Sequence, residues 1–261
     1  MTSGKASRKA RQATDSPAAP QERKRKSRLG LILALVVLAA IAAAIYAGSR
    51  GDDSQGAGPV PRGAVSDSGG IMLNSTPPTE GVPVLDVYED FQCHWCKTFH
   101  EILGPRVQAL AASGEAKVVL HLKTSLDRGK EGGESMRIAN AAACASDAGP
   151  QSLATAHDLL MAAQPSQENP QQGWPSDLVS SVADQAGISG QARTTFEACT
   201  AQLHYRGYLT RVDEQSARDG VKGTPTYRID GNEFDLSQVL SQDNSQHPEA
   251  LDAAIAEAAK N

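Results

Sequence analysis

The residues best suited to chemistry are two cysteines three positions apart, Cys93 and Cys96. The apolar run 82–88 before them is rich in β-branched residues, which predicts a buried strand. Residues 97–103 after them place apolar side chains at helical spacing. A strand, a CxxC pair and a helix in this order put Cys93 at a helix N-terminus, where free backbone N–H groups and the helix dipole favour a thiolate. A thiolate can attack a disulfide sulfur, so the motif predicts thiol–disulfide exchange.

A CxxC pair can also belong to a metal site, attach haem or form a purely structural disulfide. Zinc needs four ligands, the chain has no second CxxC, and His100 would add only a third ligand. Haem attachment requires a histidine directly after the second cysteine, where this chain has Lys97. A structural disulfide across two residues is strained and readily reduced. Redox activity is therefore the favoured interpretation, and no metal or other cofactor is predicted.

Charge is distributed unevenly along the 261-residue chain. The formal charge is −5, but residues 1–28 contain nine Lys and Arg against two acidic residues, about +7, which leaves about −12 for the rest. An acidic remainder argues against nucleic-acid binding by the folded part. Because residues 1–28 are polar and lack apolar periodicity, they are predicted to be a disordered basic tail.

Residues 29–47 form an uncharged apolar run directly after that tail. A helix of this length would be about 28 Å long, which matches the hydrocarbon core of a bilayer. The Lys/Arg excess before the run predicts a cytoplasmic N-terminus and a single-pass membrane anchor. A cleaved signal peptide is the alternative, because small residues lie near Ala44 and Ala47. Residues 48–70, rich in Gly, Ser, Asp and Pro, are predicted to be a flexible linker.

Residues 71–261 are predicted to form one folded domain. A short apolar stub at 71–73 predicts an edge strand, and residues 84–88 form the strand before the CxxC helix. We expect that helix to end at Gly114, because glycine suits the left-handed conformation of a C-terminal cap. The run 117–123 predicts the next strand. Because a helix joins these two strands, they should be parallel.

A long helical segment separates these strands from the last ones. Residues from about 131 to 219 show only helical periodicity and turn signals. Strand character returns at 226–229, where Asp230-Gly231 predicts a hairpin turn, and residues 248–260 close the chain as an amphipathic helix. The helices predicted in the insertion are Glu134–Ser146, Gln151–Ala163, Pro175–Ala186, Gly190–Gln202 and Tyr205–Asp219.

Two motifs give the chain a resemblance to a known family. FQCHWC at 91–96 and VKGTPTY at 221–227 resemble the corresponding motifs of the DsbA-like thioredoxin family, specifically its membrane-tethered branch with two disulfides. The resemblance runs from about residue 71 to residue 260. It implies an α/β thioredoxin fold with a large α-helical insertion, preceded here by the transmembrane helix and the linker.

The resemblance also implies roles for individual residues. Cys93 would be the exposed nucleophile, and Cys96 the more buried resolving cysteine. Thr224-Pro225 would be a cis peptide facing Cys93, since cis bonds occur essentially only before proline and mark tight turns. Such a turn, with Gly223, can offer a backbone edge to an extended substrate. An ordinary proline at the start of a strand is the alternative for Pro225.

Some positions depart from the best-known members of the family. Many thioredoxins carry a buried carboxylate six residues before the first cysteine, and this chain has Val87 there. Glu89 and Asp90 are nearby, but strand alternation and the coming turn predict that both face solvent. A protonated His94 could stabilise the thiolate and make the disulfide more oxidising. Trp95 could pack on the protein or offer an apolar contact to unfolded clients.

The other two cysteines, Cys144 and Cys199, both fall in predicted insertion helices. Outside the cytoplasm an even number of cysteines favours pairing, although two buried thiols are the alternative. The resemblance to the two-disulfide branch supports a structural disulfide between them. The remaining histidines, which we interpret as satisfied surface or core residues, are His121, His157, His204 and His247.

The sequence therefore predicts an extracytoplasmic thiol:disulfide oxidoreductase, anchored in the cell membrane, that donates disulfides to newly exported proteins. The resemblance implies a membrane quinone-linked reoxidase of the DsbB or vitamin-K-epoxide-reductase type as its partner. A reductase or isomerase role is the near alternative, because threonine before the cis-proline also occurs in those relatives. A non-catalytic holdase using the apolar surface around Trp95 is a second alternative. A copper chaperone fits less well, because it requires CxxxC spacing.

Overall fold

A computed structural model of the chain describes residues 58–130, 132–168 and 173–260. The predicted basic tail and membrane anchor lie outside these ranges, as does the first part of the predicted linker. Within the described ranges, no helix is both long and apolar enough to cross a membrane.

Five strands form one mixed sheet in the order β1-β3-β2-β4-β5. The central strand β2 (Val84–Asp90) runs parallel to β3 (Lys117–Lys123) and antiparallel to β4 (Thr226–Ile229). The edge strands β1 (Ile71–Met72) and β5 (Asn232–Glu233) are short and antiparallel to their neighbours. The predicted edge strand and the predicted parallel pair are both confirmed.

Helix α1 (His94–Ser113) connects the two parallel strands. It ends at Gly114, whose φ of 75° is left-handed and whose N–H donates to Leu110 O at 3.1 Å, as its predicted capping role requires. Helix α7 (Glu249–Ala258) closes the chain. Single turns of 3-10 helix lie at Ser125–Asp127 and Leu236–Gln238. The insertion helices are α2 (Glu134–Ser146), α3 (Pro150–Ala162), α4 (Leu178–Gln185), α5 (Gly190–Ala201) and α6 (Arg206–Arg218).

The sheet is covered on both faces, which gives three layers. Leu85, Val87 and Glu89 lie on one face of β2, beneath α1 and α3. The other face is covered by α2 and α6, where Lys123 of β3 and Asp213 of α6 form an ion pair at 2.7 Å. A strand covered on both faces has no solvent side, so every side chain near its end must find a partner inside the protein.

The part of the predicted linker that the structure describes, residues 58–70, packs against the domain, so the prediction of a free linker is wrong there. Ala64 forms a bridge with Ile71, and Arg211 of α6 donates to the backbone O of Asp67 at 2.8 Å. The hydroxyl of Tyr208, also on α6, donates to Gly69 O. The segment has few apolar side chains, but its backbone groups are bound by the domain.

Cys144 of α2 and Cys199 of α5 form a disulfide, with their Cα atoms 6.0 Å apart. Asn140 lies beside it, donating to the backbone O of Cys199 at 3.3 Å and accepting from Tyr205 N at 2.8 Å. The disulfide therefore joins two insertion helices around a satisfied buried amide.

Candidate active site

The two remaining cysteines lie where the central strand meets its helix. Cys93 is the N-cap residue of α1, and its N–H donates to Asp90 O at 2.8 Å, which closes the turn after β2. Cys93 keeps 9% of its surface exposed, whereas Cys96, one helical turn inside, has none. Both are free thiols in this structure. Only Cys93 can be reached from solvent, as the nucleophile of an exchange reaction must be.

The two thiols have different pKa values because their environments differ. A hydrogen bond from the Cys96 thiol outweighs burial and, with the Thr224 side chain and the backbone N–H groups of Cys96 and Trp95, lowers the pKa of Cys93 to about 6. Burial, the hydrogen bond to Cys93 and the charge of Glu89 raise the pKa of Cys96 far above its ordinary value. At neutral pH the pair therefore holds one thiolate and one thiol, with the thiolate on the accessible residue.

A prolyl turn closes the site from the other side. Thr224-Pro225 is a cis peptide bond, and Cys93 Sγ lies 3.2 Å from the backbone O of Thr224. Strand β4 begins directly after this turn and pairs antiparallel with β2, which brings the turn to the end of the strand that carries the cysteines. The hydroxyl of Thr226 donates to Gly223 O at 2.9 Å and holds the turn from within.

The surface around Cys93 is aromatic. Trp95 is 55% exposed, one of the few exposed large apolar side chains among the described residues. The ring of His94, also exposed, lies 5.5 Å from the Trp95 ring, measured between centroids. The structure thus brings Cys93, His94, Trp95 and the prolyl turn together at one surface, and places Cys96 beneath it.

Gln164, just beyond the end of α3, supports the CxxC loop from the insertion. Its side-chain amide donates to Phe91 O and, at 3.1 Å, to Cys93 O. These carbonyls flank Gln92, in the loop between β2 and α1. Sequence reasoning missed this residue, because a glutamine in a polar stretch 71 positions from Cys93 carries no local signal.

The prediction that Glu89 and Asp90 face solvent is wrong. Glu89 is 2% exposed and Asp90 is fully buried, because helices cover both faces of β2. Asp90 accepts from the backbone N–H groups of Gln92 and Leu126, both at 3.0 Å, and from the Ser135 hydroxyl. Burial raises its pKa in spite of these bonds.

Glu89 is compensated by a buried histidine. Its Oε2 lies 2.8 Å from His157 Nε2 of α3. Burial alone would raise the pKa of Glu89, but the hydrogen bond and charge of His157 hold the pKa below its usual range. Since residues two apart on a strand share a face, the alternation Leu85, Val87, Glu89 was the signal that could have predicted an inward carboxylate.

Glu89, His157 and His100 could also offer one ligand atom each to a metal ion, since these atoms lie within 4.8 Å of one another. Each of the three side chains is already hydrogen-bonded: Glu89 to His157, and His100 Nε2 to Asp158 at 3.0 Å. The cluster therefore consists of two hydrogen-bonded pairs, whose histidine rings are in edge-to-face contact.

A reactive cysteine at a helix N-terminus, a buried second cysteine and a cis-prolyl turn define a class of protein: a thiol–disulfide exchange protein on a thioredoxin-type sheet. The comparisons with known proteins agree. A family model described as thioredoxin matches residues 79–257. The chain belongs to the thioredoxin family, in its DsbA-like group, and is a protein thiol–disulfide oxidoreductase. No curated protein matches the sequence.

Several solved structures are similar to this chain. The reduced form of the disulfide bond oxidoreductase DsbG from Mycobacterium tuberculosis is 25% identical, with a TM-score of 0.57, over 74% of this chain and 88% of that one. MdbA, a thiol-disulfide oxidoreductase from Actinomyces oris, is 20% identical, with a TM-score of 0.62, over 77% and 92%. Oxidised DsbA from Mycobacterium tuberculosis is 24% identical, with a TM-score of 0.53, over 71% and 92%.

Proposed function

We propose that this protein is an extracytoplasmic enzyme that oxidises cysteine pairs of exported proteins through a Cys93–Cys96 redox disulfide. One observation carries the proposal: the accessible thiol has a pKa of about 6, and its partner is buried with a raised pKa. A stabilised thiolate favours the reduced form of the pair. The disulfide form is correspondingly a strong acceptor of electrons from client thiols.

The cycle uses the two cysteines unequally. A client thiolate attacks Cys93 Sγ in the Cys93–Cys96 disulfide, a client–Cys93 disulfide forms, and Cys96 leaves as a thiolate that takes up a proton. The second client thiolate then attacks the client sulfur of that mixed disulfide. The client leaves with a new disulfide, and two electrons remain on the enzyme as the Cys93 thiolate and the Cys96 thiol.

Client binding is assigned to the surface around the nucleophile. The prolyl turn, Gly223 to Pro225, offers backbone edge next to Cys93, and an extended client strand can pair with it. Trp95 supplies exposed apolar area on the other side, which suits an unfolded chain. The same exposed surface would support holding without chemistry. Only the requirement for Cys93 therefore distinguishes the proposed oxidase from the holdase alternative.

An extracytoplasmic location is supported by the predicted anchor at 29–47 and by the Cys144–Cys199 disulfide, because structural disulfides persist in oxidising compartments. In this proposal the N-terminal tail lies in the cytoplasm and residues 71–261 form the catalytic domain. Each turnover leaves the enzyme reduced. A membrane quinone-linked oxidase, like DsbB or vitamin-K-epoxide reductase, would then restore the Cys93–Cys96 disulfide.

The test is a redox equilibrium titration of the full-length protein in detergent against glutathione buffers, combined with oxidation of a reduced, unfolded client. We expect a reduction potential of about −120 to −180 mV and formation of client disulfides. A potential near about −270 mV, as in thioredoxin, would instead make the protein a reductase. Cys93→Ser is the control: client oxidation must stop, and suppression of client aggregation that persists in this variant would favour the holdase.

A further inference from the structure

Three metal-binding side chains meet between the central strand, the CxxC helix and the insertion. Glu89 of β2, His100 of α1 and His157 of α3 each offer one ligand atom, and these atoms lie within 4.8 Å of one another. Two histidines with one glutamate are the ligands of a well-known class of zinc site, in which a fourth position stays open. His157 is 68 residues from Glu89 in the sequence, so only the folded domain assembles this set.

The three ligand atoms are already close to the spacing that zinc requires. Zn²⁺ binds nitrogen and oxygen at about 2.0–2.2 Å, which separates the ligand atoms of a tetrahedral site by about 3.3–3.6 Å. Glu89 Oε2 and His157 Nε2 are 2.8 Å apart, so these two atoms would have to separate by roughly 0.5 Å. The widest separation in the set would have to close by at most about 1.5 Å. Side-chain rotation can supply changes of this size.

Two of the three ligands are also held by outer partners, as metal ligands in proteins usually are. The Tyr227 hydroxyl donates to Glu89 Oε1 at 3.4 Å, which leaves Oε2 for another partner. His100 Nε2 pairs with Asp158 Oδ1 at 3.0 Å, and Asp158 in turn accepts from the side-chain amide of Gln108. A carboxylate that is bound to a histidine in this way orients the ring and increases its basicity as a ligand.

Gly104, one turn after His100 in α1, makes room for the His100 ring. A Cβ at Gly104 would lie 3.1 Å from Cε1 of this ring and 3.3 Å from each of its nitrogens. These distances are shorter than ordinary van der Waals contact, so a larger residue at position 104 would displace the ring. Glycine in a helix interior is destabilising relative to alanine. The glycine therefore weakens the helix but keeps space for His100 beside the other two ligands.

An open cleft leads from solvent to these ligands. It has a volume of about 400 Å³, and its lining includes His100, Gly104 and Asp158. The side chains of Glu89 and His157 are 2% and 5% exposed, whereas those of His100 and Asp158 are 13% and 43% exposed. Exposure therefore increases from the core to the cleft, so a metal ion can enter past His100.

We propose that Glu89, His100 and His157 bind one zinc ion. The ion takes the place of the direct hydrogen bond between Glu89 and His157, and water from the cleft completes its coordination. Imidazole nitrogen with one carboxylate suits Zn²⁺ better than Ca²⁺ or Mg²⁺, which prefer oxygen ligands. The disulfide within the insertion connects α2 to α5, whereas the metal connects β2 and α1 to α3. This site does not depend on thiol exchange or on its direction.

The test uses the full-length protein in detergent, oxidised so that Cys93 and Cys96 form a disulfide and cannot bind the ion as thiolates. Zinc is titrated in competition with a chromophoric chelator near neutral pH. We expect one ion per chain, with a dissociation constant below about 1 µM. X-ray absorption at the zinc edge should show nitrogen and oxygen ligands, outer-shell scattering from imidazole, and no sulfur.

Substitutions separate ligands from outer partners. His100→Gln and His157→Gln should each weaken zinc binding by at least about 100-fold, and Asp158→Asn by about 10-fold, as for an outer partner. The matched control is His121→Gln, because His121 also pairs with a carboxylate, that of Asp86, at 2.8 Å. Among the described residues no third metal ligand accompanies this pair, so the control should bind zinc normally. Zinc should raise the unfolding temperature of the unmodified protein and of the control, but not that of His100→Gln.

Three outcomes would overturn the proposal. The first is a lack of stoichiometric zinc in the oxidised, unmodified protein. The second is zinc binding that persists in folded His100→Gln, which lies at the edge of the cleft and keeps the test decisive if His157→Gln does not fold. The third is zinc that binds only after reduction and is lost in Cys93→Ser, which would assign the metal to the CxxC thiols. A failure of thiol exchange would refute the proposed function and leave the zinc site in place.

Discussion

Replacing Cys96 with alanine removes the largest of the contributions that lower the pKa of Cys93. With a pKa of about 6, Cys93 is half thiolate at pH 6. If the substitution raises this pKa by one unit, the thiolate fraction at pH 6 falls to roughly a tenth. A thiolate of higher pKa is also intrinsically more nucleophilic, by about threefold per unit. The lower thiolate fraction and the higher nucleophilicity largely cancel in a rate measured at one pH. The midpoint of the pH profile therefore has to be measured.

The assay follows the reduced full-length protein by the ultraviolet absorbance of the thiolate and by its rate of alkylation with iodoacetamide. Reactivity should rise with pH and level off above a midpoint near 6 in the unmodified protein. In Cys96→Ala the midpoint should move towards the ordinary value of 9.0. Cys96→Ser, which keeps a hydroxyl donor at this position, should shift it less. The reasoning is refuted if the unmodified protein titrates near 9 or if Cys96→Ala leaves the midpoint in place.

Two further predictions concern the disulfide and the exposed tryptophan. Cys144 and Cys199 are 55 residues apart, so replacing both with alanine should lower the free energy of unfolding by about 4 kcal/mol, with little change in exchange rate at Cys93. Urea unfolding measures this loss, and a change below about 1 kcal/mol would contradict the chain-entropy estimate. Trp95→Ala should weaken client binding about fivefold, since half-burying an aromatic side chain contributes on the order of 1 kcal/mol. Exchange with glutathione, which is too small to cover the ring, should not change; an equal effect on both substrates would argue against a binding role.

Much of the fold could be predicted, because its signals are local. The parallel strands, the CxxC helix and the five insertion helices follow from periodicity within short windows, and the Asp230-Gly231 turn has positive φ at both residues, 49° and 79°. The ends of the helices were predicted less accurately. Pro175 was predicted to begin a helix, but Leu178 N bonds to Pro175 O in a separate turn, and α4 starts at Leu178.

What the sequence did not predict depends on contacts between distant segments. Residues 58–70 have few apolar side chains, yet α6 binds their backbone. Glu89 was assigned to solvent from strand alternation and the coming turn, whereas its burial depends on His157, 68 residues away. No sequence pattern indicates the role of Gln164. Its contacts with the CxxC loop appear only when α3 lies beside that loop. The burial of a polar residue can be predicted only when its partner is known, and the tertiary structure determines that partner.

The difference between the pKa values of Cys93 and Cys96 also determines how the driving force for client oxidation depends on pH. Between pH 6 and the titration of ordinary client thiols, reduction of the Cys93–Cys96 disulfide takes up two electrons and one proton, whereas an ordinary dithiol takes up two of each. As the pH rises by one unit, the reduction potential of the protein therefore falls by about 30 mV and that of the client by about 59 mV. Each unit of acidification therefore reduces the equilibrium constant for client oxidation tenfold, until Cys93 itself is protonated below about pH 6. A cell that acidifies its surroundings would thereby weaken the protein's thermodynamic drive as an oxidant without altering a single contact in its fold.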